Sequence, residues 1–490
     1  MKAVFTKNFP NSGTLIIITN SEMATPLFSK IDNETKGTIR KALNNLRFEG
    51  KKYQTAVITT PAGTDFDRIV IASVGKKSEM TPLILEETAA KAVGAVLKSG
   101  VKDVYLTVDF SDGADCASQA CFGAICGNYS FDKYKTTAKI EEKSSIDNLF
   151  ILCENPEEAR QKYEDLDSLL QGMTMVRNLV SEPGNVVNPE SFAKEALELR
   201  NLGVEVEVIE QEELKNLGLN MMLSVGQGSD ISSKLAVMRF NGNPKNDRVQ
   251  LAVIGKGVTF DTGGISLKSP DGMEEMKMDM AGAAVATALM KTLALRKAKA
   301  NVVAVAGLVE NMPSGKASRP GDIVQSLSGQ TVEIISTDAE GRMVLGDAMW
   351  YAQEKFRPEI MVDLATLTGA IIISLANERA GLFSNDDGLA DKIFKSGEKT
   401  GEYVWRLPLG EAYDELINSD IADMKNVGGK AGGSITAAQF LKRFVKEETK
   451  WAHLDIAGTA WIKKDKPLYP KGATGFGVRL LDSFIKDNLE

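Results

Sequence analysis

The stretch NVVAVAGLV, residues 301 to 309, limits the fold more than any other. A β-branched apolar run of this length reads as a strand, and without polar alternation both of its faces are covered. Such a strand belongs inside a sheet with helices packed on it. Runs of the same kind recur along the chain: GVEVEVI, KLAVMRF, VQLAVIG, TVEIIS and IMVDLAT, interleaved with the helical stretches AGAAVATALMKTLALRK and GDAMWYAQEKF. The first 155 residues alternate in the same way. There GTLIIIT, QTAVITT, DRIVIASVG, DVYLTVDF and NLFILCE read as strands, and TPLILEETAAKAVGAVLKSG reads as a helix. Strand–helix alternation of this kind predicts an α/β fold. A long helix is expected to open at Pro156 with two acids behind it and to end near Pro183 and Gly184. It places a boundary near residue 165. The expected architecture is two α/β domains: a smaller N-terminal one over 1–165, and a larger one over 166–490 with a mixed central sheet flanked by helices.

Composition narrows the chemistry. The net charge of −8 gives no global pull towards phosphate backbones, so a nucleic-acid partner is not expected. The apolar run of Leu15 to Thr19 and its neighbours is strand-length, and no uninterrupted apolar run of eighteen residues occurs, so neither a signal peptide nor a membrane span is expected. Four cysteines in 490 residues fit a reducing, cytoplasmic setting. Cys116, Cys121 and Cys126 are spaced by five, unlike a zinc CxxC, and read as small apolar residues of a helix. The single histidine, His453, rules out an HExxH zinc site, and no GxSxG elbow is present to give it a serine. Within WAHLDIAG it reads as a satisfied structural histidine. There is no P-loop, and GKGVTF breaks the dinucleotide-binding spacing.

Carboxylate, lysine and arginine chemistry remains. STDAEGRMVLGDAM, residues 336 to 349, crowds Asp338, Glu340 and Arg342 around Gly341 in a turn after the apolar TVEII. Alone it could be a solvated turn. VIGKGVTFDTGGISLKSPDGMEEMKMDMAGAA, residues 253 to 284, runs from a strand into what reads as a glycine-rich loop holding Lys256, Asp261, Lys268 and Asp279. Alone it could be a helix cap, two turns and surface lysines. Together they put four acids on segments that follow apolar strands, where open α/β sheets bind ligands. Four gathered carboxylates repel, and two divalent cations would balance them. Carboxylate oxygens suit Mg²⁺ and Mn²⁺, and zinc accepts them too. Bridging by Asp261 or Glu340 would allow a hydrolytic two-metal spacing of roughly 3.5–4 Å.

These segments resemble the leucyl aminopeptidases, the cytosolic two-metal peptidase family. The resemblance rests on the block from NVVAVAGLVENMPSGK to STDAEGRMVLGDAM, and on VIGKGVTFDTGGISLK, VDLATLTGA, WAHLDIAGTAW and GATGFGVRLL. VRNLVSEPGNVVNPESFA is similar to the opening of that family's catalytic domain. The match covers most of residues 175 to 485, and no diagnostic motif lies in residues 1 to 165. It implies a catalytic C-terminal domain that releases N-terminal Leu and other apolar residues from short peptides. It implies two divalent ions, Mn or Zn with Mg or Co as further choices. Asp261 and Glu340 would be shared between them, Asp338 would complete one site, and Lys256 with Asp279 the other. Lys268 would polarise the scissile carbonyl, and Arg342 would hold a bicarbonate acting as general base. Met276, Thr366, Leu367 and Gly369 would line the substrate pocket. A homohexamer is also implied. Two positions depart from the family pattern: Ser336 stands where Asn is usual, and Met343 where Leu is usual. Serine can still hydrogen-bond, and the Met exchange nearly conserves volume, so only a small effect is expected. A different two-metal hydrolase, acting without a free amine, is the alternative. An architectural DNA-binding role, known from some bacterial members, is disfavoured by the acidic charge.

Overall fold

Near-continuous apolar strands do become the inner strands of sheets. The computed structural model describes every residue except Asp112, and only the backbone of Ile140. The chain divides into two compact units, one of Met1–Leu170 with Lys464–Lys471, the other of Gln171–Lys463 with Gly472–Glu490. The division falls inside the helix Pro156–Ser181, which starts at the expected proline.

The first unit holds strands β1 (Lys2–Thr6), β2 (Gly13–Thr19), β3 (Thr55–Thr59), β4 (Phe66–Ser73), β5 (Asp103–Val108) and β6 (Asn148–Leu152). They form one sheet in the order β1-β6-β5-β2-β4-β3, parallel except for the edge strand β3. The run Leu15 to Ile18 in β2 is fully buried, as a central strand covered on both sides must be. Cys116, Cys121 and Cys126 sit on the helix Ala114–Cys126, and none of the four cysteines is in a disulfide.

The second unit is built on β7 (Glu205–Ile209), β8 (Lys234–Asn241), β9 (Leu251–Asp261), β10 (Asn301–Asn311), β11 (Ile323–Gln325), β12 (Thr331–Glu333), β13 (Ile360–Ala365), β14 (Ala380–Ser384), β15 (Val404–Arg406), β16 (Met424–Lys425) and β17 (Lys450–Asp455). Eight of these form a mixed sheet ordered β15-β14-β17-β13-β9-β10-β8-β7. Its centre, β17-β13-β9-β10, is parallel, so their carboxyl ends open on one edge. β11, β12 and β16 form a separate small sheet. A core of Ile254, Val303, Val305, Phe440 and Trp451 fills one side of the large sheet. The segment Met273–Leu295 is long and apolar enough to cross a bilayer by length and composition, which the search for uninterrupted apolar runs does not anticipate. Its most apolar window is 83% buried inside the fold, as a core helix is.

Candidate metal centre

β9 is longer than its apolar run, and this corrects the expected loop. Lys256 and Asp261 lie on the strand, Lys256 in its middle and Asp261 at its carboxyl end. Parallel pairing with β10 and β13 continues past Gly255 on the β10 side and carries the strand through KGVTFD. Asp279 does precede a helix, Ala281–Leu295. Asp338 and Glu340 follow β12, so their turn leaves the small sheet and not the central one. Glu340 immediately precedes the helix Gly341–Phe356, whose first turn carries Arg342.

The fold nonetheless brings the four acids and two lysines together. Lys256 Nζ donates to Asp279 Oδ1 at 2.7 Å and to the Thr366 carbonyl at 3.0 Å, and lies 2.8 Å from Glu340 Oε1. Lys268 Nζ stands 2.7 Å from Asp261 Oδ2 and also contacts Asp338 Oδ1. Ligand oxygens of Asp261, Asp338 and Glu340 lie within 4.8 Å of one another. Asp261 Oδ1 accepts from the Gly263 N–H and from Asn311 Nδ2, both at 2.8 Å. Thr366 Oγ1 donates to Asp279 Oδ1 at 2.7 Å, while the buried Asp279 Oδ2 has no partner among the described residues.

Charge decides what such a group can hold. Like charges about 5 Å apart cost on the order of 3 kcal/mol at an effective dielectric near 20. Burial, with Glu340 beside it, pushes the Asp261 carboxyl up. Burial pushes Asp279 well up, against the pull of Lys256. Asp338 is raised by burial as well. Burial alone would depress both ammonium groups, but neighbouring carboxylates outweigh it: Asp279, Glu340 and Asp261 hold Lys256 up, and Asp261, Glu340 and Asp338 hold Lys268 up. Four carboxylates against two ammonium groups leave the pocket short of positive charge. A hard oxygen donor set with one orphaned carboxylate oxygen fits divalent cations.

Arg342 is buried, and burial pulls its guanidinium down to about 10 despite Glu340 and Asp455. Its Nη1 donates to the Asn426 carbonyl at 2.7 Å, and its Nε has no partner among the described residues. Of the four expected pocket residues, Thr366 touches the site directly. Leu367 follows it and donates its N–H to Asp455 Oδ1 at 3.1 Å. Gly369 is exposed, at the start of the helix Gly369–Leu375, and Met276 lies in the 3₁₀ turn Met273–Met278 just before Asp279.

The short motifs leave out the groups that hold this site in place. Asn311, at the end of β10, joins Asp261 to the Thr337 carbonyl at 3.1 Å. Thr337 Oγ1 donates to the Gly263 carbonyl at 2.6 Å and accepts from the Ser266 N–H at 2.8 Å. Asn426 bonds the turn 335–339 from the far side. A polar residue closing a buried parallel strand is a signal for Asn311; Asn426 has none. Ser336 Oγ accepts from the Asp338 N–H at 3.3 Å, so serine keeps the turn's local bond. His453 is on β17, a strand that periodicity does not mark. Its Nδ1 pairs with Asp363 Oδ1 at 2.6 Å, but its buried Nε2 has no partner among the described residues, so only half of the imidazole is satisfied.

Comparison with known proteins agrees along the whole chain. The family model described as "Cytosol aminopeptidase family, catalytic domain" matches residues 174–482, and that for the same family's N-terminal domain matches residues 15–138. A probable cytosol aminopeptidase of Caulobacter vibrioides is 50% identical over 93% of this chain and 92% of its own length. One from Xanthobacter autotrophicus is 46% identical over 98% of this chain and 96% of its own. Among solved structures, a mutant of tomato leucine aminopeptidase superposes with TM-score 0.89 at 30% identity, covering 100% of this chain and 97% of its own. The bottromycin maturation enzyme BotP, in complex with Mn, superposes with TM-score 0.85 at 30% identity, covering 97% and 99%.

Proposed function

From the premise that this chain belongs to the cytosol aminopeptidase family and is a metal-dependent aminopeptidase, we propose that it uses two divalent ions to release N-terminal Leu and other apolar residues from short peptides. Asp261 and Glu340 would serve both donor sets, Asp338 would complete one, and Lys256 with Asp279 would complete the other. Mn²⁺ or Zn²⁺ is the expected occupant, with Mg²⁺ or Co²⁺ as substitutes. When bound, the ions act as Lewis acids on the free α-amine and the peptide carbonyl and bring the pKa of a water towards 7.

The chain's own groups do the rest. Lys268, held protonated by Asp261 and Asp338, supplies a fixed positive charge to the oxyanion that develops at the carbonyl. Lys256 would join its donor set as a neutral amine, releasing to solvent the proton that Asp279 and Glu340 now stabilise. Arg342, whose Nε has no partner among the described residues, would hold a small oxyanion, which we take as bicarbonate; when bound, that ion would supply a general base for the attacking water's proton, which the leaving amine takes up. Thr366 orients Asp279, and Met276, Leu367 and Gly369 lie on segments that flank the centre. A cytoplasmic homohexamer acting on short peptides, with no membrane or nucleic-acid partner, completes the reading.

The observation that carries it is Lys256, buried and spanning Asp279 and Glu340 from the middle of a parallel strand. The test is hydrolysis of a leucine chromogenic amide by metal-stripped protein, before and after Mn²⁺, Zn²⁺ or Mg²⁺, with the N-acetylated amide alongside. Metal-restored cleavage of only the free-amine substrate is expected. Equal cleavage of the blocked amide would sink the aminopeptidase mechanism and leave a generic two-metal hydrolase.

A further inference from the structure

The turn that carries Asp338 and Glu340 is held by more than packing. Behind it lies a cavity of about 20 Å³ lined by Ser224, Ser318, Ile334, Thr337, Met343 and Asn426, among others. Hydrogen bonds help to set the turn's position, and one side chain supplies four of them. Asn426 is 1% exposed. Its Oδ1 accepts from the N–H of Ile335 at 2.9 Å and of Ser336 at 3.3 Å. Its Nδ2 donates to the Ser336 carbonyl at 2.7 Å and the Ala339 carbonyl at 3.4 Å. The amide thus pairs with both backbone groups of Ser336, as a neighbouring strand would. The Asn426 main chain is itself anchored, its N–H donating to the Glu333 carbonyl at 3.0 Å, and its carbonyl accepts Arg342 Nη1 at 2.7 Å.

We infer that Asn426 is a positioning residue that keeps Asp338, Glu340 and Arg342 in one register, its side-chain amide fixing the turn of the metal donor set and its main-chain carbonyl holding the guanidinium. Only a planar group with acceptor and donor edges makes this set of bonds. Asn426→Asp would keep the acceptors and turn a carboxylate oxygen on two carbonyls. Asn426→Ala would lose both edges. The inference rests on the two-metal reading above, and concerns a residue that touches neither substrate nor ion.

The experiment compares the metal-stripped wild-type chain with N426A, N426D and D423A. Asp423 fastens the other end of the small sheet, accepting from the Thr331 N–H at 2.7 Å and the Thr331 hydroxyl at 2.8 Å. The readouts are Mn²⁺ Kd by calorimetric titration, kcat and KM on the leucine amide, and the thermal midpoint. N426A and N426D are expected to weaken Mn²⁺ binding and lower kcat by about 10–100-fold, while KM moves by about threefold at most. D423A is expected to lower the thermal midpoint and leave Kd and kcat within about twofold of wild type. A folded N426A or N426D with wild-type Kd and kcat would overturn the inference, as would D423A reproducing the loss. If N426A does not fold, N426D, which conserves shape and the acceptors, decides. A wild-type chain that binds no Mn²⁺ would overturn the metal reading itself, and this inference with it.

Discussion

Gly341 lies directly against the Lys256 side chain: a Cβ on it would stand 2.6 Å from Lys256 Cε and 2.8 Å from Nζ. The glycine between the acids and the arginine therefore leaves room for the lysine to pass the start of a helix and reach Glu340. Gly341→Ala would push the tip of Lys256 out of a pocket where three groups hold it. We expect a stability loss of about 1–3 kcal/mol from overpacking. We also expect at least a tenfold fall in activity with the chain still folded, since helix propensity itself favours alanine. Thermal melting and kcat measured together check it; unchanged kcat would show that Lys256 needs no fixed position.

Thr366 offers a cleaner probe of the same donor set, because its hydroxyl and its carbonyl do different things. The hydroxyl donates to Asp279 Oδ1, and the carbonyl accepts from Lys256. Thr366→Val keeps the shape and the carbonyl and removes only the bond to the carboxylate. Mn²⁺ affinity should fall about tenfold, the lower end for a residue that orients a ligand. Titration of the metal-stripped protein reads this directly, and an unchanged Kd would mean that Lys256 alone orients Asp279.

The fold and the acids of this site are legible in the sequence for one physical reason: buried parallel strands must be apolar, so a carboxylate where such a run stops stands out. Asp261 after VIGKGVTF is of that kind, whereas Asp338 after TVEII follows a short, half-buried strand of the small sheet. Lys256 is harder to place, because a lysine between two glycines reads as a loop, yet the ladder to β10 carries the strand through it. β17 escapes the same reading because KWAHLD mixes a charge and a histidine into a strand whose polar groups pair with its neighbours, His453 with Asp363 on β13. Asn426 is beyond reach altogether. Its partners lie about ninety residues away in sequence, and no local pattern marks a side chain that acts as a strand edge.

Loading the centre should change protonation. Asp261, Asp279 and Asp338 are all raised by burial in the metal-free chain, and Lys256 is held protonated by the same carboxylates. Divalent ions require deprotonated ligands, so binding expels protons and the affinity weakens as pH falls. We expect net proton release on adding Mn²⁺ near neutral pH, seen as a buffer-dependent calorimetric enthalpy, and a higher thermal midpoint with metal, lost again on chelation. A binding enthalpy independent of buffer would contradict the proposed role of Lys256.

Asp347, buried on the helix that Glu340 precedes, sets a separate pH response. Its Oδ1 accepts from the Leu327 N–H at 2.8 Å and its Oδ2 from the Met222 N–H at 3.0 Å. Burial pushes its carboxyl up to about 7, against the lowering effect of these bonds. Because the folded value lies above the unfolded one, the native state keeps a proton that the unfolded chain has released. The contribution to stability is therefore most favourable below about pH 4, falls as pH rises, and is fully lost above about pH 7, an effect of at most about 4 kcal/mol. Asp347→Asn removes this titration but offers one acceptor oxygen where the carboxylate offers two, so an unpaired N–H costs about 1–3 kcal/mol. The variant should thus be less stable than wild type near pH 4.5, and the gap should close or reverse by pH 8. Thermal midpoints of both proteins across that range test it; a gap that stays constant would mean that Asp347 is already ionised in the native state at the acid end.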